Sequence, residues 1–523
     1  MRRVFIYDTT LRDGSQGAGI SFTIEDKIKI AKALDSFGIS YIEGGWPGAN
    51  PKDDLFFEQM KKVELKNAKL TAFGSTRRRD TTVEKDEVLK AILKYSVKTA
   101  CIFGKSWDLH VKQALKTTNE ENLRMIYESI HFLKSKKLEV IFDAEHYFDG
   151  YKSNKVYALK VIGTAIDAGA DIICLCETNG GMIPSDIETI FQETLKKFPD
   201  AKFGIHAHND SACAVANSIV AAERGCLLVQ GTINGIGERC GNANLCSIIP
   251  ALQVKKCYEC IPKKKLKKIS ELSRYINEIS NLIPNDADPY VGKNAFAHKA
   301  GVHVSAIKRT PQTYEHIDPS LVGNNRRILV SDLAGKSNVV SKAVEMDLGI
   351  ENAPEKVKKI IELVKVKENE GFQYKDADAS FFLMTKKALE SFKPFFILKG
   401  YRVVVEKRTT GEIISEATVK LDIQGKEEHT VAEGDGPVNA LDHCLRKALL
   451  KYYPEIEDVV LTDFKVRVVN SSANTAAKVR VLIESSDSSK SWGTIGVNEN
   501  IIDASWQALS DSVEYKLFNK VEK

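Results

Sequence analysis

No run of this chain is apolar over the roughly 18 residues that a membrane-spanning helix needs, and its first residues carry no convincing secretory apolar region. A spanning or secreted protein is therefore not expected; a cytosolic one is. Cysteine is scattered rather than framed. Of ten cysteines in 523 residues, only Cys257 and Cys260 stand close in a C-x-x-C, and no second such pair completes a zinc ribbon. Cys174, Cys176, Cys213 and Cys226 sit in apolar runs, as buried free thiols do, which argues for a reducing compartment. Charge of one sign is also lacking: 75 Lys and Arg against 70 Asp and Glu leave +5, spread along the chain. Neither nucleic acid nor an anionic membrane is an expected partner. The Lys263–Lys268 cluster has no interleaved aromatics and opens the amphipathic stretch Leu266–Leu282, so it reads as a solvated helix face. The glycine-rich Gly231–Gly241 segment lacks the G-x-G-x-x-G turn of a dinucleotide fold.

What is present begins with eight short apolar, β-branched or aromatic runs: Arg3–Asp8, Ile39–Gly44, Ala68–Phe73, Val97–Phe103, Leu138–Ala144, Asp171–Cys176, Ala201–His206 and Leu227–Thr232. Helical patterns separate them, including Thr23–Phe37, Thr82–Tyr95, Asn119–Lys136, Lys155–Ala168 and Ser185–Phe198. Eight strand-helix units predict an α/β fold, a (β/α)₈ TIM barrel, over residues 1–262. About 260 residues then remain, enough for further cores.

In a barrel of this kind the C-terminal strand ends carry the chemistry. His206-Ala207-His208 ends the seventh run, and histidines two apart in a strand present both imidazoles on one side, a chelating pair. Asp13 follows the first run and Asn242 the eighth, which puts both on the same rim. Glu43, Glu145 and Thr178 also fall at or just past strand ends. Glycines between 231 and 241 let the backbone approach a ligand and aim Asn242 inward, so Gly241→Val should weaken metal binding without unfolding the barrel. Metal affinity of that variant by calorimetry is the check.

Residues 263–394 read as a helical linker, with helices at Val339–Leu348 and Pro354–Lys367 and a polar gap at Asn369–Asp378. From Phe395 the texture changes. Strands near Ile397–Glu406, Glu416–Ile423 and His429–Glu433 precede a helix at Pro437–Tyr452, and the order recurs at Val459–Val469, Ala477–Glu484, Ser491–Val497 and Glu499–Phe518. Residues 395–523 are thus predicted to be a duplicated βββα domain, suited to binding an effector or to dimerisation.

Four segments together resemble a known family. Asp8–Gln16 (DTTLRDGSQ), His206–Asp210, Gly231–Asn242 (GTINGIGERCGN) and Phe296–His303 (FAHKAGVH) are similar to the acyl-CoA condensing synthases that make 2-isopropylmalate, homocitrate and citramalate. Phe142–Lys152 (FDAEHYFDGYK) and Asn500–Leu517 resemble the citramalate branch, and the likeness spans nearly the whole chain.

The resemblance implies metal-dependent condensation of acetyl-CoA with pyruvate and water, giving (R)-citramalate and CoA on a threonine-independent route to isoleucine. It implies Asp13, His206, His208 and Asn242 as ligands of a divalent cation (Mn, Mg, Zn or Co), which suits a 2-keto acid chelating through carboxylate and keto oxygen. Arg12 would stabilise the developing alkoxide and, with Gln16 and Thr178, hold substrate. His303, with Tyr314 nearby, or Glu145 would take the acetyl proton. Asp143 and His146 are candidates for substrate selection, and Phe103 for limiting the pocket. The C-terminal domain would bind isoleucine and dimerise the chain. Two other readings compete: a 2-isopropylmalate synthase acting on 2-ketoisovalerate, and a non-catalytic metal-dependent sensor.

Overall fold

Eight parallel strands pair in chain order and close on themselves: β1 (Phe5–Asp8), β2 (Tyr41–Gly45), β3 (Lys69–Ser75), β4 (Thr99–Lys105), β5 (Glu139–Glu145), β6 (Ile172–Glu177), β7 (Phe203–Ala207) and β8 (Leu228–Gly231). In this computed structural model residues 2–95, 97–329, 336–350, 353–389, 392–469 and 477–521 are described. The closing ladder sets Phe5 opposite Leu228 and Asp8 opposite Gly231. Period-two alternation divides each strand between two cores. Tyr7, Tyr41, Phe73, Cys101, Ile141, Cys174, Cys176 and Leu228 pack together inside the barrel. Their neighbours Ile6, Ile42, Ala72, Ile102, Phe142, Leu175 and Val229 pack against the helices. Several runs begin before the hydrogen-bonded ladder does, because Val4 and Ile39 are fully buried ahead of their strands.

The helices start and stop where local chemistry dictates. Thr23 and Asp26 form a reciprocal capping box on Ile24–Phe37, and Gly38 ends it at φ +102°, where a Cβ would stand 2.5 Å from Pro262 Cδ. After β5 the helix spans Tyr147–Asp167 and begins well before the expected Lys155. Asn154 leaves helical geometry inside it, and its side chain accepts from Tyr157 N at 3.1 Å. The periodicity marked only the second segment, which Asn154 caps. A short helix at Asp108–Gln113 was likewise not anticipated.

Two compact units divide the chain: Met1–Phe296 with Ile317–Asn325, and Ala297–His316 with Arg326–Lys523. The second holds helices Gly301–Arg309, Lys336–Glu345, Pro354–Asn369 and Asp378–Ala388. It also holds two antiparallel three-stranded sheets. Ile397–Lys407, Ile413–Ile423 and Lys426–Gly434 precede helix Pro437–Leu449; Val460–Val468, Val479–Ser486 and Ser491–Asn498 precede helix Ile501–Val521. The duplicated βββα pattern is therefore real, and the repeats share one core. Val419, Leu421 and Leu445 of the first pack with Val481, Trp506 and Leu509 of the second.

Candidate active site

The turn after β1 is tight: Arg12 N and Gly14 N both donate to Thr9 O, which swings Asp13 over the barrel mouth. His206 lies in β7 and His208 just beyond it, and a backbone bridge between His208 and Asn242 draws the loop after β8 alongside. His206 Nε2 stands 3.3 Å from Asp13 Oδ2. One ligand atom each from Asp13, His206 and His208 falls within 4.8 Å of the others. All three side chains and Asn242 are buried. Within this corner His208 Nδ1 and Asn242 Oδ1 are buried with no hydrogen-bond partner, while Asn242 Nδ2 donates to Ile236 O at 3.4 Å. Buried polar atoms are normally satisfied, so two orphaned polar atoms beside a carboxylate and a second imidazole make a donor set that fits a divalent cation.

The loop that carries Asn242 tolerates no side chains at its turns. A Cβ on Gly237 would fall 2.1 Å from Asn242 Nδ2, and one on Gly241, at φ +87°, 2.0 Å from Gly235 O.

Electrostatics agree with the geometry. Burial alone would raise the Asp13 pKa, but Arg12 and both histidines outweigh it and hold the carboxyl below its usual range. Burial and the neighbouring His206 push the His208 imidazole down to about 3, which keeps its ring neutral with a lone pair to offer. Arg12 is anchored on both sides. Its Nε donates to Glu43 Oε1 at 2.5 Å, and its guanidinium lies 3.8 Å over the Phe73 ring. Burial opposes its charge, yet Glu43 and Asp13 overcome this and leave its pKa above the ordinary value.

Residues 3–276 match the HMGL-like family, 290–371 the homocitrate synthase post-HMGL domain-like family, and 375–517 the LeuA allosteric (dimerisation) domain. The (R)-citramalate synthase of Aquifex aeolicus is 55% identical over 523 residues, all of this chain and 99% of that one. That of Geobacter sulfurreducens is 54% identical over the same spans. The 2-isopropylmalate synthase of Methanocaldococcus jannaschii is 31% identical, over 100% of this chain and 96% of its own. This chain belongs to the (R)-citramalate synthase family.

The remaining candidates are placed as follows. Thr178 Oγ1 accepts from His146 N at 3.0 Å, which leaves the threonine hydroxyl proton free to donate elsewhere. His146 adopts φ +58°, an uncommon left-handed conformation for a non-glycine residue. Glu145 ends β5 and is ion-paired with Lys105, the last residue of β4. Gln16 is exposed at the end of the 3-10 turn Gly14–Gln16. Phe103 stacks on Phe73 at 5.5 Å between ring centroids, and Trp46 meets both edge-on. His303 and Tyr314 belong to the second unit, where their rings stack at 4.1 Å. In the same unit His298 Nε2 lies 3.2 Å from Glu315 Oε1, in keeping with a structural histidine.

Reading the sequence missed the partners. The sequence marks Glu43 only as a strand end, yet it accepts from Tyr7 Oη at 2.5 Å and Thr9 Oγ1 at 2.6 Å as well as from Arg12. Lys105 and Gln230 were not singled out. Strand alternation was the available signal, since Lys105 is two residues past Phe103 and Gln230 two past Leu228 on inward-facing positions.

Proposed function

We propose that the barrel condenses acetyl-CoA with pyruvate and water into (R)-citramalate and CoA, using a divalent cation held by Asp13, His206, His208 and Asn242. The observation that carries this is the buried corner with its two orphaned polar atoms, in a chain whose whole length is similar to (R)-citramalate synthases. A cation bound there supplies Lewis-acid polarisation of the keto group. Arg12, locked by Glu43 and Phe73, presents fixed positive charge to the alkoxide that develops as the new C–C bond forms. Thr178, its oxygen engaged by His146 N, donates its hydroxyl proton to the keto-acid carboxylate. The acetyl methyl must lose a proton to His303 or Glu145. Glu145 is already engaged by the Lys105 ammonium, which supports assigning the acceptor role to His303. Hydrolysis of the thioester then frees CoA.

Apolar residues stand exposed on the C-terminal sheets: Val404, Val405 and Ile413 in the first, and Val460, Phe464, Val466 and Val468 in the second. Such surface suits a second copy of the chain, and isoleucine is the proposed effector of this domain. Among the described residues no helix is long and apolar enough to cross a membrane, which is compatible with the proposed cytoplasmic location.

The deciding experiment measures free-CoA release by metal-supplied protein with acetyl-CoA and either pyruvate or 2-ketoisovalerate. Pyruvate-dependent release that Asp13→Ala abolishes is the expected result. Faster turnover of 2-ketoisovalerate would move the chain to 2-isopropylmalate synthesis, and silence with both would favour a sensor. A chain ending near Pro394 that stayed as isoleucine-sensitive as the full-length protein would remove the effector role from the C-terminal domain.

A further inference from the structure

Gln230 is wholly buried on β8, and its amide spans two polar groups inside the barrel. Its Nε2 donates to Asp143 Oδ1 at 2.9 Å, and its Oε1 lies 2.9 Å from His206 Nδ1. The direction of the second bond follows from the first. An amide nitrogen only donates, and a carboxylate oxygen accepts, so the contact with Asp143 commits Nε2. What faces the histidine is then a carbonyl oxygen, which only accepts, and His206 Nδ1 must carry the proton. The lone pair is left on Nε2, the nitrogen that stands 3.3 Å from Asp13 Oδ2 in the metal corner.

Turned over, the same amide would set its carbonyl against the Asp143 carboxylate and its NH₂ against Nδ1. The histidine would then be protonated on Nε2 and aim a hydrogen, not a lone pair, at the cation site. Asp143 discriminates between the two arrangements by electrostatic repulsion of the carbonyl. It can do so because it is buried on β5, only 4% exposed, where water cannot take its place.

We propose that Gln230, oriented by Asp143, is a positioning residue that holds His206 in its metal-binding tautomer and thereby sets the affinity of the corner for a divalent cation. This inference rests on the metal-dependent reading of the site. Loss of such an orienting partner behind a ligating imidazole typically costs about 10- to 100-fold in metal affinity.

The test uses full-length protein stripped of metal and titrated with Co²⁺. Visible absorption and competition with a chelator report affinity, and thermal unfolding of the metal-free protein reports folding. Gln230→Leu should weaken Co²⁺ binding by roughly 10- to 100-fold. The double variant Gln230→Glu/Asp143→Asn exchanges donor and acceptor: the new amide donates to the new carboxylate, which accepts from His206 Nδ1. Its affinity should return to within about threefold of the original, because the tautomer is again specified. Gln230→Glu alone opposes two carboxylates and should bind more weakly than the double variant. Unchanged affinity in Gln230→Leu, or a folded double variant no tighter than Gln230→Leu, would overturn the proposal. Co²⁺ binding indifferent to Asp13→Ala would instead remove the metal site itself, so the two failures are distinguishable.

Discussion

Among the described residues, two three-residue clusters inside one barrel have the composition of a metal site, and they are opposite in character. Asp13, His206 and His208 form one, and Asp143, Cys174 and Cys176 the other. Both are buried. Asp13 faces Arg12 and two imidazoles, which keep it ionised against the cost of burial. At Asp143 burial and the nearby Glu43 carboxylate win over the weaker pull of His206 and Arg12 and push it up to about 6. Burial likewise raises Cys174 well above its usual value and Cys176 to about 12, so neither thiol is a thiolate at neutral pH. Ligand-type residues in a buried cluster thus become a cation site only where the surroundings have already stabilised charge. Here Arg12, pinned by Glu43, and the two imidazoles together outweigh burial at Asp13, whereas Arg12 and His206 do not outweigh it at Asp143.

Asp13→Ala should remove the ligand and lower turnover by about 10³-fold or more, with cobalt affinity lost in parallel. Steady-state CoA release and metal titration check both. Next comes Glu43→Gln, which strips the fully buried counter-charge from the partly buried Arg12. A loss of about 3–5 kcal/mol in stability is expected from denaturant unfolding, and about 10²-fold in turnover as Arg12 loses its fixed position.

A pH prediction follows for Asp143 in the metal-free protein. Its folded-state pKa of about 6 lies above the ordinary 3.8, so its contribution to stability is fully present below pH 4 and is lost as pH rises through 6. The unfolding free energy of the parent relative to Asp143→Asn should therefore fall by about 3 kcal/mol between pH 4 and pH 7. A pH-independent difference between the two proteins would show that Asp143 is not titrating in this window. The smallest effect belongs to Cys174→Ala and Cys176→Ala. Each should cost about 1–2 kcal/mol of stability through lost packing and leave cobalt affinity unchanged. A fall in affinity would mean that the Asp143, Cys174 and Cys176 cluster contributes to metal binding after all.

Much of the barrel was legible because strand alternation and helix caps are local. Asp8–Gln16, His206–Asp210 and Gly231–Asn242 carried the candidate site because turn chemistry and i, i+2 spacing are local as well. The first turns of Tyr147–Asp167 were hidden because Asn154 caps a second segment within one helix, and the cap is the stronger signal. The partner roles of Glu43, Lys105 and Gln230 were hidden for another reason. Each acts through a residue far away in the chain: Glu43 through Arg12, Lys105 through Glu145, and Gln230 through His206 and Asp143.

By itself the sequence determined the order of eight strands, the duplicated βββα units, and which side chains share a strand face, since all follow from backbone geometry within a few residues. How far each carboxylate stands from its ordinary pKa, which nitrogen of His206 keeps its lone pair, and which of two ligand-bearing clusters is prepared for a cation were decided in the tertiary structure alone. Those depend on burial and on partners brought from other strands by barrel closure, where a low dielectric magnifies each neighbouring charge and hydrogen bond.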